Sequence, residues 1–156
     1  MSSSSMRFTT IVIDASVAVW AVLPLFASVD VINRFIDWRH RGCRLVAPAH
    51  WPAECTSAIR RAVYARAVSE EQGQRALRDL MGLEVDVIAA YESQCRAALE
   101  WAARLGQARA YDGFYCALAD ELQGELWTAD QRLARAAREA GAGWVWWIGD
   151  TAGEAK

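Results

Sequence analysis

Short apolar runs alternate with longer segments of helical periodicity along the chain. The runs IVI and WVWWI are apolar without interruption, which is typical of strands covered on both faces. Residues 83–89 instead alternate apolar and polar side chains, with Glu84 and Asp86 facing solvent. Strands are therefore predicted at 8–13, 44–47, 83–89, 125–128 and 144–148.

Between these runs, apolar residues recur at every third or fourth position, which is the period of a helix with one buried face. Helix ends are marked by glycine and polar residues: Gly42 and Gly106 close two helices, and Ser69 with Glu70 and Glu71 opens another. Helices are predicted at 15–22, from 28 or 30 to 41, 51–66, 69–82, 92–105, 112–122 and 130–140.

Five strands alternating with helices predict an α/β domain with a mainly parallel sheet and right-handed connections. In such sheets, functional groups gather beyond the carboxyl ends of the strands. A chain of 156 residues is long enough for one domain with a buried core. We predict a single domain over 7–150, a disordered N-terminal tail at 1–6 and a C-terminal tail at 151–156.

The apolar N-terminal stretch is predicted to be a buried strand and a helix, not a signal peptide or a membrane span. Asp14 lies in its middle and Pro24 interrupts it, and an acidic residue at the centre of a membrane helix costs about 2.5–3.5 kcal/mol. The cysteines form no CxxC pair and fit reduced core thiols; they are Cys43, Cys55, Cys95 and Cys116. The sequence therefore predicts a cytoplasmic protein without membrane contact.

Composition limits the chemistry that this chain supplies. The net charge is −2, so no global basic field recruits a polyanion, and local arginine clusters would have to do so. Lysine occurs once, as Lys156, which excludes the phosphate-binding lysine of a P-loop. The two histidines, His40 and His50, stand in no triad-like context. Carboxylates are the reactive side chains that remain in quantity.

Four carboxylates fall at predicted strand ends and helix starts, and they are Asp14, Glu54, Asp112 and Asp130. Each alone has an ordinary explanation as a helix cap or a surface charge, and Asp130 would cap the helix that it begins. Asp112 is harder to explain, because it shares a helical stripe with Tyr115, Cys116, Ala119 and Leu122. Four acids at one sheet edge would repel one another, unless a hard divalent cation such as Mg²⁺ or Mn²⁺ binds among them.

The segments around these acids resemble the PIN-domain nucleases, and especially the VapC-like toxins. They are IVIDASVAVW, PAECTSAIRR, AYDGFYCALA and LWTADQRLARAA, which occur in the family's order within residues 8–148. The resemblance implies a three-layer fold with strand order 3-2-1-4-5, which places Asp14 and Asp130 on neighbouring strands. It also implies that the four acids are the family's acidic quartet, and that Ser16 and Thr128 occupy its small hydroxyl positions.

The resemblance implies a ribonuclease that hydrolyses RNA phosphodiester bonds with Mg²⁺ or Mn²⁺. In this interpretation Asp14 and Asp112 bind the metal directly, and Glu54 and Asp130 complete the site. It further implies the toxin of a type II toxin–antitoxin pair, a homodimer and a VapB-like antitoxin. The alternative is a non-catalytic PIN module that binds RNA or a protein partner, against which the complete quartet argues.

Several residues near the acids bear on substrate choice. Arg109 and Arg132 flank the acids in sequence and are candidates for phosphate contacts, although each also fits an ordinary surface arginine. Ser57 stands where many relatives carry a larger polar residue, and His50 and Trp51 are unusual before Glu54. These departures leave the predicted metal site intact.

Overall fold

A parallel sheet forms the centre of the fold. The structure, a computed structural model, describes residues 9–25 and 29–150. Within these ranges, five strands pair in the order β3-β2-β1-β4-β5, and all four pairings are parallel. The strands are β1 (Thr10–Ile13), β2 (Arg44–Pro48), β3 (Asp86–Ile88), β4 (Glu125–Thr128) and β5 (Val145–Trp147). The predicted α/β fold and its strand order are confirmed.

Helices flank this sheet and connect its strands. They are α1 (Ala15–Val22), α2 (Val29–His40), α3 (Trp51–Tyr64), α4 (Glu70–Met81), α5 (Glu92–Arg104), α6 (Tyr111–Glu121) and α7 (Gln131–Glu139). Helix α1 contacts α2, α3 and α4, whereas α5 and α6 pack against each other and α6 also contacts β1, β2 and β4. Within the described ranges, no helix is long and apolar enough to cross a membrane.

Strand β1 occupies the middle of the sheet because its apolar residues can be covered on both faces. Ile11, Val12 and Ile13 are fully buried, as the uninterrupted run IVI predicts. Ile11 pairs with Leu45 of β2 on one side and with Glu125 of β4 on the other. The residue that follows β1 therefore lies at the centre of the carboxyl edge of the sheet.

The predicted start of α4 and end of α2 are confirmed in detail. Ser69 Oγ accepts a hydrogen bond of 3.0 Å from the Gln72 backbone N–H, and Gln72 Oε1 accepts one of 2.8 Å from the Ser69 N–H. Such a reciprocal capping box satisfies two helix donors that would otherwise lack a partner. Gly42 follows α2 with a φ of 68°, a conformation that glycine adopts at little cost.

Element lengths and one cysteine depart from the predictions. The third strand is limited to Asp86–Ile88, because Glu84 has a φ of 56° and turns the chain before pairing begins. The helix predicted to reach residue 66 ends at Tyr64, and the last strand is Val145–Trp147.

Cys95 is exposed and not a core thiol, because α5 buries a different stripe, comprising Gln94, Ala98, Trp101 and Ala102. The predicted tails at 1–6 and 151–156, the strand start at Phe8 and the alternative helix start at Ser28 lie outside the described residues.

Candidate active site

The carboxylate of Asp14 is fixed at the end of β1. The residue is 6% exposed, and its Oδ2 accepts hydrogen bonds from Ser16 Oγ at 2.8 Å and from Thr128 Oγ1 at 2.6 Å. Asp14 stands at the N-cap of α1, yet its side chain caps none of the helix N–H groups. Because the Asp14 carboxylate does not cap α1, helix stability does not explain why a charged group is buried at this position.

The two hydroxyls that hold Asp14 also join β1 to β4. Ser16 Oγ accepts a hydrogen bond of 2.9 Å from the Ala129 N–H, and Thr128 Oγ1 accepts one of 3.0 Å from the Asp130 N–H. Each hydroxyl thus accepts from the backbone that follows β4 and donates to the carboxylate that follows β1. Both hydroxyls contact Asp14, and their role in a functional site stays a prediction.

Glu54 is held by a tyrosine from another part of the chain. The fully buried Tyr115 donates from its hydroxyl to Glu54 Oε1 at 2.8 Å, and the same hydroxyl accepts from the Ala15 N–H at 3.3 Å. His50 Nε2 lies 3.0 Å from Glu54 Oε1, but its N–H is not aligned as in a hydrogen bond. The His50 contact is therefore electrostatic, whereas the hydrogen bond from Tyr115 fixes the position of the carboxylate.

The other two acids are held by local contacts. Asp112, in the first turn of α6, accepts a hydrogen bond of 2.7 Å at Oδ2 from Gln107 Nε2. Asp130 caps α7 as predicted, because its Oδ1 accepts from the N–H groups of Arg132 at 2.9 Å and Leu133 at 3.2 Å. Each acid of the predicted quartet therefore has one oxygen fixed by the protein.

The charge state of Asp14 reflects both its burial and its neighbours. Burial raises the pKa of Asp14 from an ordinary 3.8 to about 6, although the hydrogen bonds from Thr128 and Ser16 act in the opposite direction. The negative charges of Asp112 and Glu54 raise this pKa further. Asp14 is thus a carboxylate whose ionised form is costly in the protein alone.

The remaining acids are also electrostatic neighbours. Burial raises the pKa of Asp112, opposed by its amide hydrogen bond and reinforced by the charges of Asp130 and Glu54. For Glu54, burial acts upward, but the contacts with His50 and Tyr115 outweigh it and leave the pKa below its ordinary value. The charges of Asp112 and Glu54 therefore act on Asp14, and those of Asp130 and Glu54 act on Asp112.

The donor chemistry of these acids fits a hard divalent cation, although the ligands are not preassembled. Among residues 9–25 and 29–150, no three His, Cys, Asp or Glu side chains form a ready metal cluster. In each acid, however, only one of the two carboxylate oxygens accepts a hydrogen bond from a described residue. The second oxygen accepts none, and in no case is it buried without a partner. One carboxylate oxygen per acid thus remains for an oxygen-preferring ion.

The two candidate phosphate contacts are exposed. Within the described part of the chain, the side chains of Arg109 and Arg132 make no hydrogen bond or ion pair. Their role as phosphate contacts stays a prediction.

Three residues that contact the acids were not predicted as site residues. Tyr115 appeared in the sequence only as a member of a buried stripe, and 61 positions separate it from Glu54. His50 appeared as a histidine without a triad-like context and as a departure from the family pattern. Gln107 lies five positions before Asp112, and this short spacing at a helix start was a usable signal. The Tyr115 contact had no such signal, because it depends on how α6 packs across the sheet.

Removing the Tyr115 hydroxyl tests its role in the site. Tyr115→Phe deprives Glu54 of a donor and the buried Ala15 N–H of its acceptor. We expect the free energy of unfolding to fall by about 1–3 kcal/mol, as for other buried groups left unpaired. Urea unfolding measures this change. Tyr111→Phe is the matched control, because Tyr111 is exposed and its hydroxyl makes no hydrogen bond to the described residues; an equal loss in both variants would contradict the assignment.

Comparison with known proteins places the chain in a family. The PIN domain family model matches residues 11–139. Ribonuclease VapC12 of Mycobacterium tuberculosis, from two strains, is 33% identical over 134 residues that cover 80% of this chain and 90% of the relative. The crystal structure of PAE2754 from Pyrobaculum aerophilum shares the fold with a TM-score of 0.64 at 19% identity, over 90% of this chain and 84% of that one. The chain belongs to the PIN-domain family.

Proposed function

We propose that the protein is a ribonuclease that hydrolyses RNA phosphodiester bonds at Asp14, Glu54, Asp112 and Asp130 with Mg²⁺ or Mn²⁺. The observation that carries this proposal is the Asp14 carboxylate, which is buried, held by two hydroxyls and unused as a cap. Membership of the PIN-domain family and 33% identity to proteins named ribonuclease support it. Strongly perturbed carboxylates at the carboxyl edge of a parallel sheet are typical of functional sites.

In this proposal Asp14 and Asp112 hold the cation and the other two acids complete its surroundings. A bound divalent cation supplies charge neutralisation at the phosphate and makes water more acidic. The pKa of both predicted ligands is raised, first by burial and then by the charges of the neighbouring acids, and a bound cation would favour the ionised form of each.

Other residues of the chain hold the acids in position and set the charge of the site. Ser16 and Thr128 keep Asp14 pointed at the sheet edge, and Tyr115 keeps Glu54 in place. The contacts with His50 and Tyr115 that lower the pKa of Glu54 favour its ionised form, so we assign it a fixed negative charge. Proton removal from the attacking water falls to Asp130, whose second oxygen is not used in capping α7.

Arg109 and Arg132 are proposed to bind the phosphates that flank the cleaved bond. Their guanidinium groups have no partner among the described residues and are free to do so. A net charge of −2 makes such local contacts necessary for an RNA substrate.

The proposal includes a role as the toxin of a toxin–antitoxin pair, with a second copy of the chain and a VapB-like antitoxin as partners. Similarity to two proteins named VapC12 supports this role. A groove of about 610 Å³ between α2 and α4, with Ile32 and Ile36 exposed along it, offers apolar surface for a helical partner segment. Co-purification with the product of a short adjacent reading frame is expected; failure of that product to inhibit cleavage would exclude it as the antitoxin.

Metal addition and chelation test the activity. We expect RNA cleavage in Mg²⁺ or Mn²⁺ and none in a chelator. At a hundredfold excess over its dissociation constant, the metal stabilises the fold by about 2.7 kcal/mol, which for a chain of this size corresponds to roughly 5–10 °C in melting temperature. Asp14→Asn should reduce this shift. Full cleavage in the chelator, or no thermal shift at millimolar metal, would contradict the proposal.

A non-catalytic module that binds RNA or a protein partner is the second candidate. It is favoured by the lack of a preassembled metal cluster among the described residues. Wild-type protein that binds RNA but leaves it intact in both Mg²⁺ and Mn²⁺ would decide for this candidate.

A further inference from the structure

A cluster of aromatic rings surrounds His50 beside the acids. The ring centroid of His50 lies 5.3 Å from that of Tyr111, 5.5 Å from that of Phe114 and 5.2 Å from that of Tyr115. Tyr115 is fully buried and Phe114 is partly buried, as packing rings usually are. Tyr111 differs from them, because 54% of it is exposed although His50 supports its ring.

The aromatic cluster adjoins both Asp112 and Glu54. Tyr111 immediately precedes Asp112, so their Cα atoms are about 3.8 Å apart. His50 packs against the Tyr111 ring, and its Nε2 lies 3.0 Å from Glu54 Oε1. A nucleotide whose phosphate reaches the acids therefore brings its base close to the exposed Tyr111 ring.

We propose that Tyr111 is a stacking site for one unpaired nucleobase next to the cleaved phosphate. This inference rests on the proposed ribonuclease function. Every base has a π-face, so stacking on an aromatic ring binds RNA without requiring a particular sequence. Stacking also supplies affinity to a chain whose net charge of −2 gives no general attraction for RNA.

The substrate must be unpaired at this position. A base inside an RNA duplex is already stacked on its neighbours, and the deep, narrow major groove gives side chains little access. A tyrosine ring at the site can therefore take up a base only from a loop, a bulge or a single strand. Tyr111 therefore distinguishes an unpaired base from a paired one. Any recognition of the RNA sequence depends on other contacts.

Tyr64 provides a matched control. It is also an exposed tyrosine on a helix, at 79% exposure, and the Arg60 guanidinium lies 5.7 Å from its ring centroid. Tyr64 is the last residue of α3, ten positions and about 15 Å along the helix from Glu54. Its replacement removes an exposed aromatic ring without touching the acids.

The experiment compares Tyr111→Ala, Tyr111→Phe and Tyr64→Ala with the wild type. A fluorescent single-stranded RNA of mixed sequence serves as the probe, for kcat/KM of cleavage in Mg²⁺ and for Kd by anisotropy in Ca²⁺. We expect Tyr111→Ala to weaken both by roughly 5- to 150-fold, which is the range for losing one stacked base. Tyr111→Phe keeps the ring and should stay within about twofold of the wild type, as should Tyr64→Ala.

Abasic RNA identifies the stacked nucleotide. After the cut is mapped, the same RNA is made without a base at each flanking position in turn. When the base is missing at one of these positions, the kcat/KM and RNA affinity of the wild type should fall to those of Tyr111→Ala. The same abasic RNA should cause no further loss in the Tyr111→Ala variant. An unchanged Tyr111→Ala variant on intact RNA, or an equal loss for every abasic RNA, would overturn the inference.

Two further outcomes separate this inference from the proposed function. Wild-type protein that cuts no RNA would overturn the ribonuclease assignment, while the Kd comparison would still decide whether Tyr111 stacks a base. Unchanged RNA binding together with a smaller species in ultracentrifugation of Tyr111→Ala would make the ring a contact between two copies of the chain, and would overturn the inference.

Discussion

Asp14→Asn is expected to remove most of the RNA cleavage activity and to stabilise the metal-free protein at neutral pH. The activity is lost because asparagine gives up the charge that would hold the cation, an interaction worth several kcal/mol and therefore about a thousandfold in rate. The stability rises because the neutral amide avoids the cost of a buried charge next to Asp112 and Glu54, while its oxygen can still accept from Ser16 and Thr128.

The sign of this effect follows from the pKa of Asp14. Because this pKa is raised from 3.8 to about 6, the folded protein binds the proton more tightly than the unfolded chain does. The stabilising contribution of the protonated group is complete below about pH 4 and is lost as the pH rises through about 6. The total is about 3 kcal/mol, since one unit of pKa corresponds to 1.36 kcal/mol.

Urea unfolding in a chelator, at pH 5 and pH 7.5, measures this change. Asp14→Asn should lose much less stability than the wild type between the two pH values. Asp79→Asn is the matched control, because Asp79 is exposed on α4 and far from the quartet in the chain. A variant less stable than the wild type at pH 7.5, or one that cleaves RNA at the wild-type rate, would contradict the assignment of Asp14.

Gly113→Ala is expected to destabilise the protein by about 3 kcal/mol or more. A Cβ atom at Gly113 would lie 2.3 Å from the Ala98 carbonyl oxygen and 3.2 Å from the Ala102 backbone nitrogen. Both atoms belong to the backbone of α5, so no rotamer change relieves the clash. The gain in helix propensity from glycine to alanine, about 1 kcal/mol, is too small to offset it.

Thermal unfolding and cleavage measure the Gly113→Ala effect together. A loss of 3 kcal/mol lowers the melting temperature by roughly 6–12 °C in a chain of this size. Cleavage should fall as well, because separating α5 from α6 moves the adjacent Asp112. Gly143→Ala is the control, since a Cβ there meets nothing within 4 Å. A Gly113→Ala protein as stable as this control would show that α5 and α6 have room to separate.

The regular parts of the fold were predictable because their signals are local. The run IVI, the acid that follows it and the capping box at Ser69 each depend on neighbouring residues. The third strand was predicted too long because alternation at 83–89 reports extended backbone, whereas a strand also requires a partner. Only Asp86–Ile88 pair with β2.

The placement of Asp14 and Asp130 in the fold was predictable, but the surroundings of the candidate acids were not. Asp14 and Asp130 follow strands that neighbour each other in the sheet, as strand order 3-2-1-4-5 implies. The contact of Tyr115 with Glu54 arises from helix packing, and a buried tyrosine in a sequence is indistinguishable from ordinary core. The exposure of Tyr111 is likewise a property of the folded surface.

The hydroxyl pair formed by Ser16 and Thr128 has a fixed polarity. A backbone N–H can donate but cannot accept, so each hydroxyl that accepts from the peptide after β4 has its proton left for Asp14. The dipoles therefore line up in one direction, from the peptide of Asp130 toward the carboxylate at the end of β1. These hydrogen bonds connect the carboxylate after β1 to the backbone at the start of α7, so the ends of the two central strands share one polar network.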